Sequence, residues 1–267
     1  MVHATAVLSG VTMSFFKSLS IVLFAFTVLV FSSTGAFAYH THYNGLLKAY
    51  ASPAEKDDIN YIGIDYQAWA ADPRHEKAML SLLDTNPDTL KSMAAKKAFW
   101  LNAYNLLTID MITRTGEQET IKNQGDALKG PGSTYKWKIG KNEYTLNQIK
   151  DDIIRPMGDP RMNFAMNMGS ISCPDIRREA YTAARIDGQL RDQVLVSFQN
   201  ETKGVKFKDN TVRVPQYMEW VSKDFKNGDI KAWLQGYYPQ YIDAETQLGF
   251  FQHNWKLNNR PQKSAVK

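Results

Sequence analysis

The sequence predicts an α+β fold: a single helix-rich domain with a small, mostly antiparallel sheet. Three observations lead there. Residues 94–114, AAKKAFWLNAYNLLTIDMITR, are apolar on nearly every face, the pattern of a central buried helix. The strand signals are short, scattered and in no strand–helix–strand rhythm, so a parallel doubly wound sheet is not expected. No internal repeat, low-complexity tract or Pro/Gly/Ser-rich linker interrupts the chain after Tyr39, which makes residues 39–259 one domain and 260–267 a disordered tail.

At the N-terminus, Lys17 precedes the apolar run IVLFAFTVLVF (Ile21 to Phe31), and SSTGAFA ends in Ala36-Phe37-Ala38. The run is short for a membrane span, and the small-residue pattern fits cleavage after Ala38, so residues 1–38 read as a signal peptide with Met13 as a plausible start. Between Asn44 and Pro87, apolar spacing broken by Pro53, Pro73 and Pro87 predicts two or three short helices. Gly116 follows the central helix, and 115–133 reads as loop. YKWKIGKNEYTL alternates about Gly140-Lys141-Asn142, a β-hairpin. Thr145 and Gln148 form a capping box for a short helix through Ile149, Ile153 and Ile154 that stops before Pro156. Met162–Met168 reads as a buried strand. Thr182 is expected to cap a helix from Ala183 to about Gln199. TVRV before Pro215 and QLGFF read as strands, YMEWVSKDF and IKAWLQGYY as helices.

Cleavage would leave residues 39–267 with 31 basic and 27 acidic side chains, because the removed segment carries Lys17 and no acid. That mild excess contains no Lys/Arg tract, so nucleic acid is not an expected partner; nor is a membrane span after cleavage. The oligomeric state is not readable. No Gly-rich phosphate loop, paired-cysteine site or His-Glu-x-x-His motif calls for a nucleotide cofactor or a metal.

Cys173 is the only cysteine, so it cannot form an internal disulfide even in the oxidising compartment to which a signal peptide leads. Ser172-Cys173-Pro174 places it before a residue favoured at the first position of a helix. An N-cap thiol there would gain from backbone N–H groups and from Arg177 and Arg178 nearby. A thiol nucleophile also needs a base, most often histidine. Asn102 and Asn105 lie three apart on one face of the greasy helix; either they orient such a base or hold an oxyanion, or they clamp loop carbonyls.

KKAFWLNAYNLLTI, YTLNQIKDDIIRP, DPRMNFAMNMGSISCPDIRREAYTAARIDGQL and HNWKLN, in this order, resemble the bacterial and plant family known as domain of unknown function 547, over about Leu46 to Asn258. The resemblance implies a papain- or transglutaminase-type cysteine hydrolase fold by motif analogy. The chain departs from the family pattern at the places where a base would stand. Ile-Glu-His is Ile149-Lys150-Asp151, His-Phe-Ala is Asn163-Phe164-Ala165, and Tyr-Asp-Trp is His253-Asn254-Trp255.

Of the histidines left after cleavage, His40 and His42 fall at a solvated new N-terminus, His75 looks like a surface residue, and His253 alone lies in a family motif, as a recruited base or as a structural replacement for tyrosine. The candidate catalytic set is therefore Cys173, Asn163, Asp151, His253 and Asn105, with Asn102, Ser170, Ser172 and Arg177 binding a peptide-like or other small acyl substrate. Three readings stay open. The first is an exported family member that keeps the fold and cleft but is catalytically impaired, the second an active thiol hydrolase or acyltransferase using Cys173 and His253. The third is a non-enzymatic envelope module presenting Trp137, Tyr217, Trp220, Trp233, Tyr237 and Tyr238.

Overall fold

A computed structural model describes residues 34–126 and 129–260, with side chains from His40 onward. The segment read as a signal peptide lies outside the described residues up to Ser33, as does the tail beyond Arg260. The described residues from Gly35 to Arg260 form one compact α+β unit.

The chain enters through α1 (Thr34–Tyr50), which buries Tyr43, Leu46 and Leu47. His40 and His42 sit inside this helix. A hairpin follows, β1 (Ala51–Lys56) with β2 (Ile59–Ile64), between the stretches whose helical spacing predicts short helices. Pro53 fits β1 because the sheet has only two strands, so its missing N–H weakens no second ladder. Asp57 and Asp58 make the turn at φ 52° and 58°, a conformation that short polar side chains tolerate. Helices α2 (Tyr66–Ala71) and α3 (Arg74–Leu83) complete this half. His75 is not a surface residue: its Nδ1 accepts from Trp69 Nε1 at 3.0 Å and its Nε2 lies 3.1 Å from buried Asp110.

The central helix is α4 (Met93–Thr115). Ser92 accepts from the Ala95 N–H at its start, a cap worth about 1 kcal/mol. Gly116 ends it at φ 67°, where glycine is cheapest. Every residue from Ala98 to Ile112 is buried, so α4 is the axle of the main core. The expected loop that follows carries a 3₁₀ turn (Ile121–Gln124) and α5 (Pro131–Thr134). The hairpin β3 (Trp137–Ile139) and β4 (Asn142–Tyr144) forms as predicted, and so does the Thr145–Gln148 capping box opening α6 (Leu146–Gln148). The helix continues as a π turn through Ile154 and closes as 3₁₀ at Pro156.

A second core gathers around Phe164, which stacks on Trp233 at 5.6 Å and meets Phe198 edge-on at 5.3 Å. It is framed by α7 (Ile186–Gln199), β5 (Lys206–Lys208), β6 (Thr211–Pro215), α8 (Tyr217–Trp220), α9 (Ile230–Gln235) and β7 (Gln247–Phe251). β5 pairs antiparallel and β7 parallel with β6.

Three expectations fail in the middle of the chain. Residues 162–168 are not a strand: Asp159 accepts from the Arg161 N–H and Pro160 leads a 3₁₀ turn through Phe164. No helix starts at Pro174, because the carbonyls that would open it are taken by side chains, those of Ile171 and Cys173 by Lys203 and that of Pro174 by Asn167. Helix α7 begins at Ile186 instead of Ala183; the Thr182 N–H donates to Gln189, and Thr182 caps nothing.

Candidate functional site

His253 and Cys173 are 80 residues apart and are brought together by the C-terminal segment. After β7 the chain runs between four partners. Lys256 accepts from the Ile171 N–H (2.9 Å), Leu257 donates to Glu119 (2.8 Å), and Asn258 donates to Gly169 (3.0 Å) and accepts from Ile64 (2.9 Å). Those bonds lay the residues 253–258 along the turn 169–173. The Asn254 N–H donates to Ser172 Oγ (2.9 Å), and Gln216 Oε1 accepts from the His253 N–H (3.0 Å), which fixes the histidine backbone from both sides.

At the centre, Ser170 Oγ lies 2.9 Å from Cys173 Sγ and 2.8 Å from His253 Nε2, while the direct Sγ–Nε2 separation is 4.0 Å. The hydroxyl therefore bridges thiol and imidazole. Cys173 is 1% exposed and His253 7%. Burial pushes the thiol up; the Ser170 hydroxyl, the backbone N–H groups of Ser170 and Met168, and Lys203 only partly offset it. Burial, then the positive charges of Lys203 and Lys122, holds His253 down at about 4. At neutral pH the resting cluster is a thiol, a hydroxyl and a neutral imidazole, not a thiolate–imidazolium pair.

The turn that carries the thiol is anchored from two sides. Lys203, just beyond α7, is buried and donates to the carbonyls of Ile171 and Cys173 (2.9 Å each) and to Asp175 Oδ1 (2.7 Å). From α4, Asn105 donates to Ala165 and accepts from the Asn167 N–H at 2.8 Å. Asn167 passes this on by donating to Pro174 and accepting from Gly169. Asn102 makes a matching pair of bonds with the Tyr181 backbone. Both asparagines clamp loop backbone, and neither hydrogen-bonds Cys173 or His253.

The structure brings together Cys173, Ser170, Ser172 and His253, but not the rest of the candidate set. Asp151 and Asn163 belong to a separate network in which Arg155 donates to Asp151 and Asp224, and Asn163 donates to Asp224 at 3.0 Å. Arg177 is committed to Glu179 and Asp192. The cation that acts on the thiol is Lys203, which no local pattern announces, since its partners lie 28 to 32 residues away. Of the six aromatic residues read as a surface, only Trp220 is exposed; Trp137 and Tyr217 are buried, and the other three are half-buried against the second core. The Tyr217 hydroxyl is buried without a hydrogen-bond partner among the described residues, within electrostatic reach of Cys173.

Beside the cluster opens a cleft of about 220 Å³. Trp220 and Trp255 stack at 5.2 Å on one wall, and both rings touch His253, at 4.9 and 4.3 Å. Met168, whose backbone N–H faces the thiol, also lines it. Among the described residues no group of three His, Cys, Asp or Glu is arranged to hold a metal ion, and no helix is long and apolar enough to cross a membrane.

No curated protein and no solved structure matches the chain. Residues 87–195 match the family model described as "Protein of unknown function, DUF547". That segment holds α4 with its two asparagines, Ser170 and Cys173, and stops before Lys203 and His253. Over that segment the chain is similar to the DUF547 family.

Proposed function

We propose that this chain is an exported thiol-dependent acyl-transfer or hydrolytic enzyme, with Cys173 as nucleophile and His253 as base. The observation that carries this reading is the continuous contact Cys173 Sγ–Ser170 Oγ–His253 Nε2, at 2.9 and 2.8 Å. Candidate nucleophile and base are joined within hydrogen-bond reach even though the positions of the family's motif histidines hold Asp151 and Asn163. In the proposed step His253 Nε2 takes the Ser170 proton as Ser170 takes the thiol proton. Sulfur then attacks the acyl carbon, forming a thioester, and the leaving group departs with the proton held by His253. Water or another acceptor, deprotonated by His253, releases the acyl group and restores the thiol. The Tyr217 hydroxyl is a spare buried donor for the negative charge that develops. Export rests on the Lys17, Ile21–Phe31 and Ala36-Phe37-Ala38 pattern, and it places the protein in the periplasm or outside the cell.

A second reading, a catalytically silent member that only binds its ligand, is favoured by one observation: Cys173 is 1% exposed and its thiol is pushed up by burial. Incubation with p-nitrophenyl acetate, followed by peptide mass mapping, separates the two. The acyl-transfer reading expects a transient acetyl group on Cys173, formed about 100-fold more slowly in His253→Ala. Equal acetylation in both, or none in wild type, favours the silent reading.

A further inference from the structure

The cleft beside Cys173 has the dimensions and charge of a binding site for one chemical class. Its volume of about 220 Å³, at roughly 30 Å³ per small group, holds about seven carbon-sized groups. Its wall is the Trp220–Trp255 stack, with Tyr104, Met111 and Ile121 among its other lining residues. Trp220 is 44% exposed, so this wall of the cleft is open to solvent.

Charge sets the second requirement. Lys122 Nζ sits 5.1 Å from the Trp255 ring centroid, and among the described residues no carboxylate lies in ion-pair distance of it. Lys150 lines the cleft too, with Asp151 3.5 Å away. An apolar slot flanked by cations fits an amphiphilic anion: its hydrocarbon part against the indoles, its acid against ammonium groups.

We infer that the cleft binds an apolar carboxylate, with a hydrocarbon part of about seven carbons, as the acid released by acyl hydrolysis at the Cys173 centre. This rests on the acyl-transfer reading for its catalytic role, but the binding is independent of it. Four residues that line the cleft border the cluster itself. Trp220 and Trp255 touch the His253 ring, the Met168 N–H faces the thiol, and the buried Tyr104 hydroxyl lies within electrostatic reach of it. A ligand held on the indoles lies at the door of the nucleophile.

Isothermal titration calorimetry with octanoate, which has seven apolar carbons and one acid, tests this on wild type and on Cys173→Ser, in which no acyl transfer through sulfur can occur. Octanoate is expected to bind both proteins at one site, at least about tenfold more tightly than acetate or the uncharged octanamide. Trp220→Ala and Lys122→Gln should each weaken octanoate by about fivefold or more; both side chains are solvent-exposed, so neither change threatens the core. Absence of saturable binding overturns the inference. So does equal affinity for octanamide or acetate, or an unchanged affinity in either variant. Octanoate binding without any acetylation of Cys173 by p-nitrophenyl acetate would keep the inference and defeat the acyl-transfer reading. Acetylation without octanoate binding would do the reverse.

Discussion

Replacing Lys203 with methionine tests whether the turn around Cys173 is held from below by one buried cation. The ammonium group makes three bonds, to Ile171 O and Cys173 O at 2.9 Å and to Asp175 Oδ1 at 2.7 Å, and both side chains of the ion pair are only 10% exposed. Methionine matches the stem in length and apolar character, so packing is conserved and the loss is polar. Removing one partner of a buried ion pair costs about 3 to 5 kcal/mol, chiefly from the orphaned charge. Asp175 keeps the Ile62 N–H at 2.9 Å, so the lower end, about 3 kcal/mol, is expected. Urea denaturation of wild type and variant at constant m gives the value. The control is Asp175→Asn, which retains an acceptor for Ile62 while removing the charge. The double variant Lys203→Met with Asp175→Asn should be more stable than the sum of the singles by at least about 1 kcal/mol, because no charge is then left unpaired. A loss below about 1 kcal/mol in the single variant, or strict additivity in the pair, would show that Lys203 is solvated and does not hold the turn.

The neutral buried state of His253 predicts an acid dependence of stability. With its value near 4 in the fold against 6.5 for the free side chain, protonation favours the unfolded chain. The contribution is complete above pH 6.5, is lost as pH falls toward 4 and is constant below that. The full span is about 3 kcal/mol. His253→Gln should flatten urea-derived stability in that window, and an identical slope in both proteins would show that the ring is solvated. Asn105→Leu removes an acceptor from the Asn167 N–H and a donor from Ala165 O, both buried, and is expected to cost about 1 to 3 kcal/mol in the same melt. A cost within error would mean that water replaces the amide.

What could be read from the sequence was whatever depends on neighbours in the chain. Helix α4 was legible because its apolar run is long and Gly116 ends it; the β3–β4 turn and the Thr145–Gln148 box were legible because turn and cap chemistry act over two or three residues. Met162–Met168 looked like a strand because burial and strand pairing leave the same apolar signature. The asparagine bonds that hold it as a loop come from α4, 60 and 62 positions away. The same cause hid the site. Cys173, Ser170, Ser172 and His253 were all named as candidates, yet Ser170 as the bridge, Lys203 as the anchor and the Trp220–Trp255 wall arise only when the C-terminal segment is laid along the turn. Asp151 and Asn163 drew notice as replacements for motif histidines, and they have become members of an ion network with Arg155 and Asp224.

The most direct test of a working Cys173–Ser170–His253 unit is the rate of iodoacetamide alkylation of Cys173 from pH 5 to 9 in wild type, Ser170→Ala and His253→Ala. Because it is the only cysteine, every adduct reports on this thiol. General-base assistance is worth about 10² to 10⁴, and an imidazole held near 4 is a weak base, so the lower end applies. The account predicts a wild-type rate at pH 7 about 100-fold above that of His253→Ala, with Ser170→Ala between them because the direct 4.0 Å approach remains. Rates within about threefold of one another across all three folded proteins would contradict it, and would leave Cys173 a buried thiol that His253 does not serve.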